Sequence, residues 1–399
     1  MGIFNKADIL LPEGIDMQKW SVVACDQYTS QPEYWERVKE FVGDAPSTLN
    51  IVYPEAFLSE GDSRIASINE TMKKYLESGL FAVLKDSYVY VERTMNSGKI
   101  RRGIVGMVDL DEYDFTKGSK SAIRATEGTV LERIPPRVKI RENAPLELPH
   151  AILLVNDEKD FIFAGIDKSK LIYDVDLCEN GGHISGWRLK GSDADLITER
   201  VEEYAKGAKD NLVFAVGDGN HSLATAKTCW ENIKASVPEE ERENHPARFC
   251  LVEIENIHDE ALEFEPIHRV VFGEKPETVM AELKKYYEVS AENIEGSQEL
   301  ICVLGDKTEI VYITNPSSNL TVGTLQNFLD NKGYETDYIH GEDVVRELSL
   351  REDATGFILP KPDKGDLFET VILDGALPRK TFSMGEANEK RFYMEAKKI

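Results

Sequence analysis

An apolar run that ends in a glycine-containing turn and continues as a helical pattern limits the folds that this chain can adopt. The run LVFAV, residues 212–216, has the uninterrupted apolar character of a buried strand. The turn that follows is GDGN, residues 217–220, and glycines of this kind interrupt a strand. The apolar residues beyond the turn recur at helical spacing, at Leu223, Ala226, Trp230 and Ile233. The sequence therefore predicts a strand–turn–helix unit.

The remaining patterns predict a mixed α/β protein of the α+β class. Residues 88–93 alternate between apolar and polar, and Asn96-Ser97-Gly98 predicts a hairpin turn into a strand over residues 100–108. Short strands are also predicted at residues 21–25 and 161–166. Pro32 and the acidic residue after it predict a helix start. That helix is expected to bury four residues, Tyr34, Trp35, Val38 and Phe41.

The length and the composition bound the class of protein. A chain of 399 residues is expected to form more than one domain. We predict three segments: an N-terminal α+β segment over residues 1–115, a central domain over 116–275, and a C-terminal α/β segment over 276–399. The third segment ends in a basic tail that we expect to contribute to a site. No repeat or low-complexity linker separates these segments.

The charge and the cysteines indicate where the protein acts. The net charge of -25 argues against a large DNA footprint, because phosphate contacts need a basic surface. No stretch approaches the roughly 20 apolar residues that span a bilayer, and the N-terminus lacks the pattern of a signal peptide. The five scattered cysteines form no CxxC pair and are interpreted as reduced, buried thiols. We therefore expect a cytoplasmic protein with no membrane partner, and a homodimer stays open as its assembly.

The turn at residues 217–220 has the chemistry of an anion site. The first turn of a helix has unsatisfied N–H groups and the positive end of the helix dipole. Gly217 and Gly219 would let a ligand approach the backbone closely, which suits a phosphate. Asp218 would repel a bare phosphate, so we expect it to lie beside a bound cation or to accept a hydrogen bond from a sugar or substrate hydroxyl. The alternative is purely structural: an Asn or Asp caps the helix, the glycines make the turn, and His221 is satisfied locally.

Other stretches of the chain carry groups that phosphoryl transfer needs. The turn is neither a Walker A loop nor a dinucleotide fingerprint, because the required lysine or third glycine is missing. The stretch RATEGT, residues 124–129, places a glutamate among hydroxyl groups and a cation. PIHR, residues 266–269, and PRKT, residues 378–381, supply further cations. Together these groups can orient a hydroxyl and neutralise a transferring phosphoryl group.

Five stretches in one order resemble the bacterial family known as domain of unknown function 1015. They are VACDQYTSQPEYW, IRATEGTVLERIPPRVKI, VGDGNHSLATA, EPIHRVV and LPRKTFSM. That family in turn resembles the ParB/sulfiredoxin-like fold and the archaeal free-serine kinases. The resemblance implies a ParB/sulfiredoxin-like central domain and a phosphotransferase that acts on a small hydroxylated metabolite. Free L-serine or O-phosphoserine is the best single substrate that it implies.

The resemblance also implies roles for individual residues. Glu127 would accept the hydroxyl proton, and Asp218 and His221 would complete the catalytic set, with Asp218 also as the ligand of Mg²⁺. The phosphates of ATP, ADP or pyrophosphate would contact Gly217, Gly219, Asn220, Ser222, Thr225, Arg269, Arg379, Lys380 and Thr381. The substrate would contact Asp26, Tyr28, Arg124, Thr129, Arg137 and His268.

The sequence departs from the family pattern at the turn. Asn220 and Ser222 replace a histidine and an arginine, and Thr126 replaces the histidine before the glutamate. The lost arginine removes a bidentate phosphate contact, which another cation would have to supply. Arg124, Arg137, Arg269 and Arg379 are the candidates. Three alternatives stay open at this point: a ParB-like nucleotide-binding regulator or DNA-associated module without turnover, a phosphoserine phosphatase-like hydrolase, and a ligand sensor with a vestigial site.

Overall fold

The predicted strand–turn–helix unit lies in a large mixed β-sheet. The computed structural model describes residues 2–399, and these form two compact units. The first unit contains the chain up to Leu262 together with Glu386–Ile399, and the second contains Glu263–Gly385. The sheet belongs to the first unit.

The helices and strands are as follows. The α-helices are α1 Met17–Trp20, α2 Pro32–Val42, α3 Asp62–Glu77, α4 Ile134–Arg141, α5 Ser192–Lys206, α6 Asn220–Lys234, α7 Glu239–Arg242, α8 Pro276–Tyr286, α9 Thr321–Lys332, α10 Glu342–Leu348 and α11 Lys364–Leu373. The strands are β1 Phe4–Asn5, β2 Ala7–Pro12, β3 Phe81–Thr94, β4 Ile100–Asp109, β5 Tyr113–Asp114, β6 Ile123–Ala125, β7 Leu146–Glu147, β8 Ile152–Val155, β9 Leu171–Asp176, β10 His183–Lys190, β11 Phe214–Asp218, β12 Phe249–Asn256, β13 Phe264–Pro266, β14 His268–Phe272, β15 Val289–Ser290, β16 Gln298–Leu304, β17 Lys307–Ile313, β18 Glu335–Ile339, β19 Ala354–Ile358, β20 Phe382–Met384 and β21 Lys397–Lys398.

The sheet of the first unit has eleven strands, and their order places three strand ends together. The order is β5-β6-β11-β8-β12-β4-β3-β10-β9, with β1 on β4 and β2 on β3. Strand β6 runs parallel to β11, whereas β8 runs antiparallel to it. The carboxyl ends of β6 and β11 and the amino end of β8 therefore meet at one edge of the sheet.

Both faces of this sheet are covered. Successive side chains of a strand point to opposite faces of the sheet. The neighbours Tyr88 and Val89 of β3 are both fully buried, so both faces of the sheet are covered at this point. Tyr88 lies in a hydrophobic cluster with Leu223 and Trp230 of α6. Val89 lies in a separate cluster with Trp35 of α2. A mixed sheet buried on both sides explains the nearly continuous apolar runs in its strands.

The end of the chain returns to the first unit and is held there by buried arginines. Arg93 donates to the carbonyl oxygen of Asn388 at 2.6 Å, and Arg101 donates to that of Glu389 at 2.9 Å. Arg391 is almost completely buried, and its guanidinium contacts the carboxylates of Glu253 and Glu395. Paired charges of this kind are costly to separate, so the segment 386–399 is firmly seated.

The second unit has its own sheet and core. Its six strands follow the order β15-β17-β16-β19-β14-β18, and β13 pairs with β20 in a separate ribbon. Val270, Val303 and Val345 belong to a buried cluster against this sheet.

The α+β class is confirmed, and several local predictions need correction. The boundary expected near residue 115 falls within the first sheet, because β3 and β4 join the same sheet as β8 and β11. The tail from residue 386 onward belongs to the first unit. Residues 161–165 form turns and residue 166 has no regular structure, so the predicted strand is absent there. Residues 21–25 form only an isolated bridge through Val23. Among residues 2–399, no helix combines the length and apolar character needed to cross a membrane.

Two buried-face predictions were also wrong. Phe41 of α2 is 38% exposed, whereas its neighbour Val42 is buried. Ile233 in the last turn of α6 is likewise 38% exposed, although Leu223 and Trp230 are buried as predicted.

Candidate functional site

The candidate site is built around the turn between β11 and α6. Gly219 occupies the left-handed region, with φ of 78°, and immediately precedes the helix. A Cβ atom on Gly219 would lie 2.8 Å from the Cα atom of Ala151, so only glycine fits without displacing β8. Within residues 2–399, no side chain caps the start of α6. Its first N–H groups are therefore available to a ligand, and the prediction that Asn or Asp would cap this helix is wrong.

Asn220 instead joins the turn to the loop that follows β6. Its side-chain oxygen accepts a hydrogen bond from the Thr126 backbone N–H at 3.2 Å, and its amide donates to the Thr126 hydroxyl at 3.4 Å. The Thr126 hydroxyl also donates to the carbonyl oxygen of Val216 at 2.6 Å. Glu127, the predicted base, is the next residue and is exposed. The turn and the loop with the glutamate thus form one structure.

The same loop has an unsatisfied polar atom. The hydroxyl oxygen of Thr129 is buried and has no hydrogen-bond partner among the described residues. The next N–H group, that of Val130, donates to Nε2 of His221 at 3.4 Å. A buried hydroxyl with no partner is unfavourable, and a bound polar ligand would satisfy it.

His221 is neutral in this environment. Burial lowers its pKa, as do the positive charges of Arg137 and Arg133, against the opposing effect of Asp26. Since Nε2 accepts a hydrogen bond, the ring proton is assigned to Nδ1. His221 can therefore donate through Nδ1 but does not supply a positive charge.

Of the cations at the turn, Arg137 was predicted from the sequence, whereas Lys390 and Arg133 were not. Lys390, from the returning C-terminal segment, lies with Nζ 3.4 Å from Oδ2 of Asp218. The Lys390 side chain thus neutralises Asp218, for which the sequence predicted a bound cation or a ligand hydroxyl. The exposed Arg133 and the half-buried Arg137 contribute positive charge near His221.

A second ion pair lies beside the turn. Nε2 of His150 is 3.2 Å from Oδ2 of Asp26. The turn packs against this histidine, since a Cβ atom on Gly219 would lie 3.1 Å from its Cδ2 atom. Nδ1 of His150 is 2.8 Å from the hydroxyl of Tyr393. Asp26 also interacts electrostatically with Lys390, which links the two ion pairs.

Both members of this second pair are charged. Burial opposes the charged form of His150, but its interactions with Tyr393 and with the Asp26 carboxylate raise its pKa well above the ordinary value. Burial likewise opposes ionisation of Asp26, but the charge of His150 and a hydrogen bond with it lower the pKa of that carboxyl. Burial raises the pKa of Tyr393, so its phenol stays protonated.

Some predicted residues of the first unit are engaged elsewhere. Arg124 is buried and pairs with Asp210 at 3.0 Å, away from the turn. The Thr225 hydroxyl donates to the carbonyl oxygen of His221 at 2.7 Å, within the helix. The ring of Tyr28 stacks on that of Tyr34, with centroids 3.7 Å apart.

Arg137, a further candidate cation, pairs with Glu55. Its charge nevertheless reaches His221, as described above. Ser222 lies half-buried in the first turn of α6.

The predicted residues after position 262 belong to the second unit, where they contact one another. Arg269 is fully buried and donates to the carbonyl oxygen of Arg379 at 2.9 Å. Nδ1 of His268 accepts from the Leu359 backbone N–H at 3.1 Å. The Thr381 hydroxyl donates to the carbonyl oxygen of Pro378, and Lys380 is exposed. The PIHR and PRKT stretches therefore meet within this unit, while the other three stretches meet at the turn.

The residues present fit Mg²⁺ only as a companion of phosphates. Among residues 2–399, no group of three or more His, Cys, Asp or Glu side chains has the arrangement of a metal site. Mg²⁺ is usually held by one or two carboxylates together with waters and substrate phosphates, and Asp218 offers one such carboxylate.

These features define an α+β protein with an uncapped helix start surrounded by ion pairs. The family described as protein of unknown function DUF1015 matches residues 10–332, and the chain belongs to it. No curated protein matches the sequence.

Several solved structures are similar to this chain at low identity. A C-terminally truncated SbnI from Staphylococcus aureus is 10% identical, over 70% of this chain and 83% of that one, with a TM-score of 0.37. Free serine kinase in complex with AMP is 14% identical, over 70% and 87%, with a TM-score of 0.36. A conserved hypothetical protein from Pyrococcus furiosus is 13% identical, over 73% and 94%, with a TM-score of 0.34.

Proposed function

We propose that this protein is a cytoplasmic phosphotransferase that moves a phosphoryl group between a nucleotide or pyrophosphate and a small hydroxylated metabolite. Free L-serine, or O-phosphoserine in the reverse direction, is the substrate that we infer from the motif resemblance. ATP or ADP is the nucleotide that we expect at the turn. Turnover of the substrate distinguishes this proposal from the alternative, a ParB-like regulator that binds a nucleotide without catalysing a reaction.

The observation that supports the proposal most strongly is the use of Asn220. The N-cap position of α6 is Gly219, which has no side chain to occupy the first N–H groups, and Asn220, the first helical residue, holds Thr126 instead. The first N–H groups of α6 thus keep their affinity for an anion, and the loop that carries Glu127 is tied to the same turn. A phosphate acceptor and a carboxylate base would thus lie next to each other.

The surrounding charges suit the transfer. Lys390 would shift from Asp218 towards bound phosphates and take the place of the arginine that the family pattern has at residue 222. His221, neutral and with Nδ1 protonated, would donate to a phosphate oxygen. The buried Thr129 hydroxyl would bind the substrate. Glu127 would accept the proton of the attacking hydroxyl.

Magnesium would enter with the phosphates and reduce their negative charge, with Asp218 as its one carboxylate from the turn. The lysine that now neutralises Asp218 would then be released for the phosphoryl oxygens.

The test is a phosphoryl-transfer screen followed by phosphorus NMR. The purified protein is incubated with Mg²⁺ and ATP, ADP or pyrophosphate, against L-serine and related hydroxy compounds. The reverse reaction starts from O-phosphoserine, with and without an acceptor. Loss of a general base typically costs 10²- to 10⁴-fold in rate, so we expect Glu127→Gln to lose activity on about that scale. Glu132→Gln is the matched control, because Glu132 is exposed on the same loop and is expected to retain activity.

The outcomes are distinct. A phosphoester product that disappears in Glu127→Gln but persists in Glu132→Gln supports the proposal. Release of inorganic phosphate from O-phosphoserine without an acceptor would favour a hydrolase. Binding of ADP without transfer from any donor would refute the enzyme and favour a nucleotide-binding regulator.

A further inference from the structure

The second unit contains a cavity of about 280 Å³ on one face of its six-stranded sheet. Ile301 of β16 and Ile358 of β19 line it, and the two residues are paired in register, so their side chains share that face. Pro266, Leu359 and Pro360 add further apolar lining. Ligand pockets usually measure roughly 300–1,000 Å³ and combine an apolar lining with a few polar groups. This cavity therefore has the size for one small metabolite.

His268 of β14 lies on the same face of the sheet as these isoleucines. Residues two apart in a strand share a face, so the side chains of His268 and Val270 point the same way. Val270 belongs to one buried cluster with Ile358, and Ile301 packs against that cluster. His268 is only 2% exposed. The imidazole is therefore buried on the side of the sheet that carries the cavity.

One ring nitrogen of His268 has no partner among the residues that the structure describes. Nδ1 accepts a hydrogen bond from the Leu359 N–H at 3.1 Å, so the proton of the neutral ring is on Nε2. Burial lowers the pKa of His268 against the opposing charges of Glu342 and Glu265, which keeps the ring neutral. Both glutamates line the cavity, so the unpaired N–H group lies close to it. A buried donor without an acceptor is unfavourable, and a ligand oxygen would satisfy it.

Carboxylates dominate the charged lining of the cavity. Glu265, Glu299 and Glu342 contribute three of them, and Lys361 contributes a cation. Nζ of Lys361 lies 3.4 Å from the carboxylate of Glu265, and both side chains are exposed. Glu342 has its cation, Arg346, 3.8 Å away on α10. The excess of negative charge favours a ligand with an ammonium group, and the lysine favours one that also carries a carboxylate.

We propose that this cavity binds a free α-amino acid with an apolar side chain. The ammonium group would pair with Glu299 and Glu342. The carboxylate would pair with Lys361 and accept a hydrogen bond from Nε2 of His268. The apolar side chain would pack on the two isoleucines. All of these residues belong to the second unit, so the inference goes beyond the proposed function and does not depend on it.

The experiment is a calorimetric titration of the full-length protein with L-leucine at pH 7. We expect saturable binding of one molecule per chain. Isoamylamine lacks the carboxylate of leucine, and isocaproate lacks its ammonium group. Each should bind at least about tenfold more weakly, because hydrogen bonds to a charged group are lost. Leucine has no hydroxyl group to phosphorylate, so its binding is independent of phosphoryl transfer.

Two variants test the assigned contacts. His268→Asn keeps a side-chain acceptor for the Leu359 N–H but removes the donor at Nε2. Glu342→Gln removes one carboxylate charge from the cavity. Each variant should weaken the binding of L-leucine at least about tenfold. Glu347→Gln is the matched control, because Glu347 is exposed on the same helix, α10, and is expected to leave the affinity unchanged.

Three results would overturn the inference. The first is the absence of saturable binding of both L-leucine and L-valine at millimolar concentration. The second is an affinity for isoamylamine or isocaproate equal to that for leucine. The third is an unchanged affinity for leucine in both His268→Asn and Glu342→Gln, with circular dichroism showing that the variants are folded. If His268→Asn fails to fold, Glu342→Gln decides, because Glu342 is exposed.

Discussion

Replacing Gly219 by alanine tests the geometry of the turn, and its cost can be worked out from two separate effects. The left-handed backbone, with φ of 78°, costs a non-glycine residue roughly 1–2 kcal/mol. The new Cβ atom would also lie 2.8 Å from a backbone atom of Ala151, and overpacking of this kind typically costs about 1–3 kcal/mol. We therefore expect Gly219→Ala to reduce the free energy of unfolding of the first unit by about 2–5 kcal/mol.

Two other glycines separate these effects. Gly118 also has a positive φ, of 80°, but its Cβ atom would meet nothing within 4 Å, so Gly118→Ala should show only the backbone cost of roughly 1–2 kcal/mol. Gly128 has neither a positive φ nor a close neighbour, and Gly128→Ala should change stability by less than about 0.5 kcal/mol.

Urea unfolding followed by tryptophan fluorescence is a suitable assay. All four tryptophans lie in the first unit, so the signal reports its unfolding alone. The expected order of destabilisation is Gly219→Ala, then Gly118→Ala, then Gly128→Ala. If Gly219→Ala costs no more than Gly118→Ala, the close packing of the turn against β8 is refuted.

Two further predictions use the same signal. The Asp26–His150 pair should stabilise the first unit most between the ordinary pKa of an aspartate, 3.8, and that of a histidine, 6.5. Because the pKa of Asp26 is lowered, the stability it contributes is lost as pH falls below this window. Because the pKa of His150 is raised, the stability it contributes is lost as pH rises above the window. His150→Gln should reduce both losses of stability, and an unchanged dependence of stability on pH in this variant would contradict the pairing. Val42→Ala should destabilise the unit by about 2 kcal/mol, because it removes buried methyl groups, whereas Phe41→Ala should cost much less. If Phe41→Ala destabilised the unit more than Val42→Ala in the same unfolding measurement, α2 would have to be rotated so that Phe41 faces the core.

The C-terminal segment gives the site its cation and its phenol. The family match ends at residue 332, yet Lys390 and Tyr393 lie beside the turn. The buried contacts of Arg93 and Arg391 explain how this segment is held against strands that are distant in sequence. The tail was expected to contribute through Arg379, Lys380 and Thr381, but these residues lie in the second unit.

Much of the fold was predictable because its signals are local. The apolar run before Gly217 forms a buried strand, the turn follows where the glycines stand, and α6 presents Leu223 and Trp230 to the core as its periodicity requires. The hairpin around Gly98 also follows from adjacent residues. The inward face of α2 was misjudged by one position, since periodicity alone does not decide between the neighbours Phe41 and Val42.

The α+β class, the family and the turn at residues 217–220 follow from local sequence patterns, because each depends on residue types at short, fixed spacing. The charges around that turn are instead brought together by contacts between distant parts of the chain. His150 follows a proline in an ordinary apolar stretch, and Lys390 lies 170 or more positions from the turn, so no local pattern marks either of them. Their positions depend on strand order and on buried arginines that hold the chain terminus. Such contacts between distant segments are set by the packing of the whole unit, which short patterns do not encode.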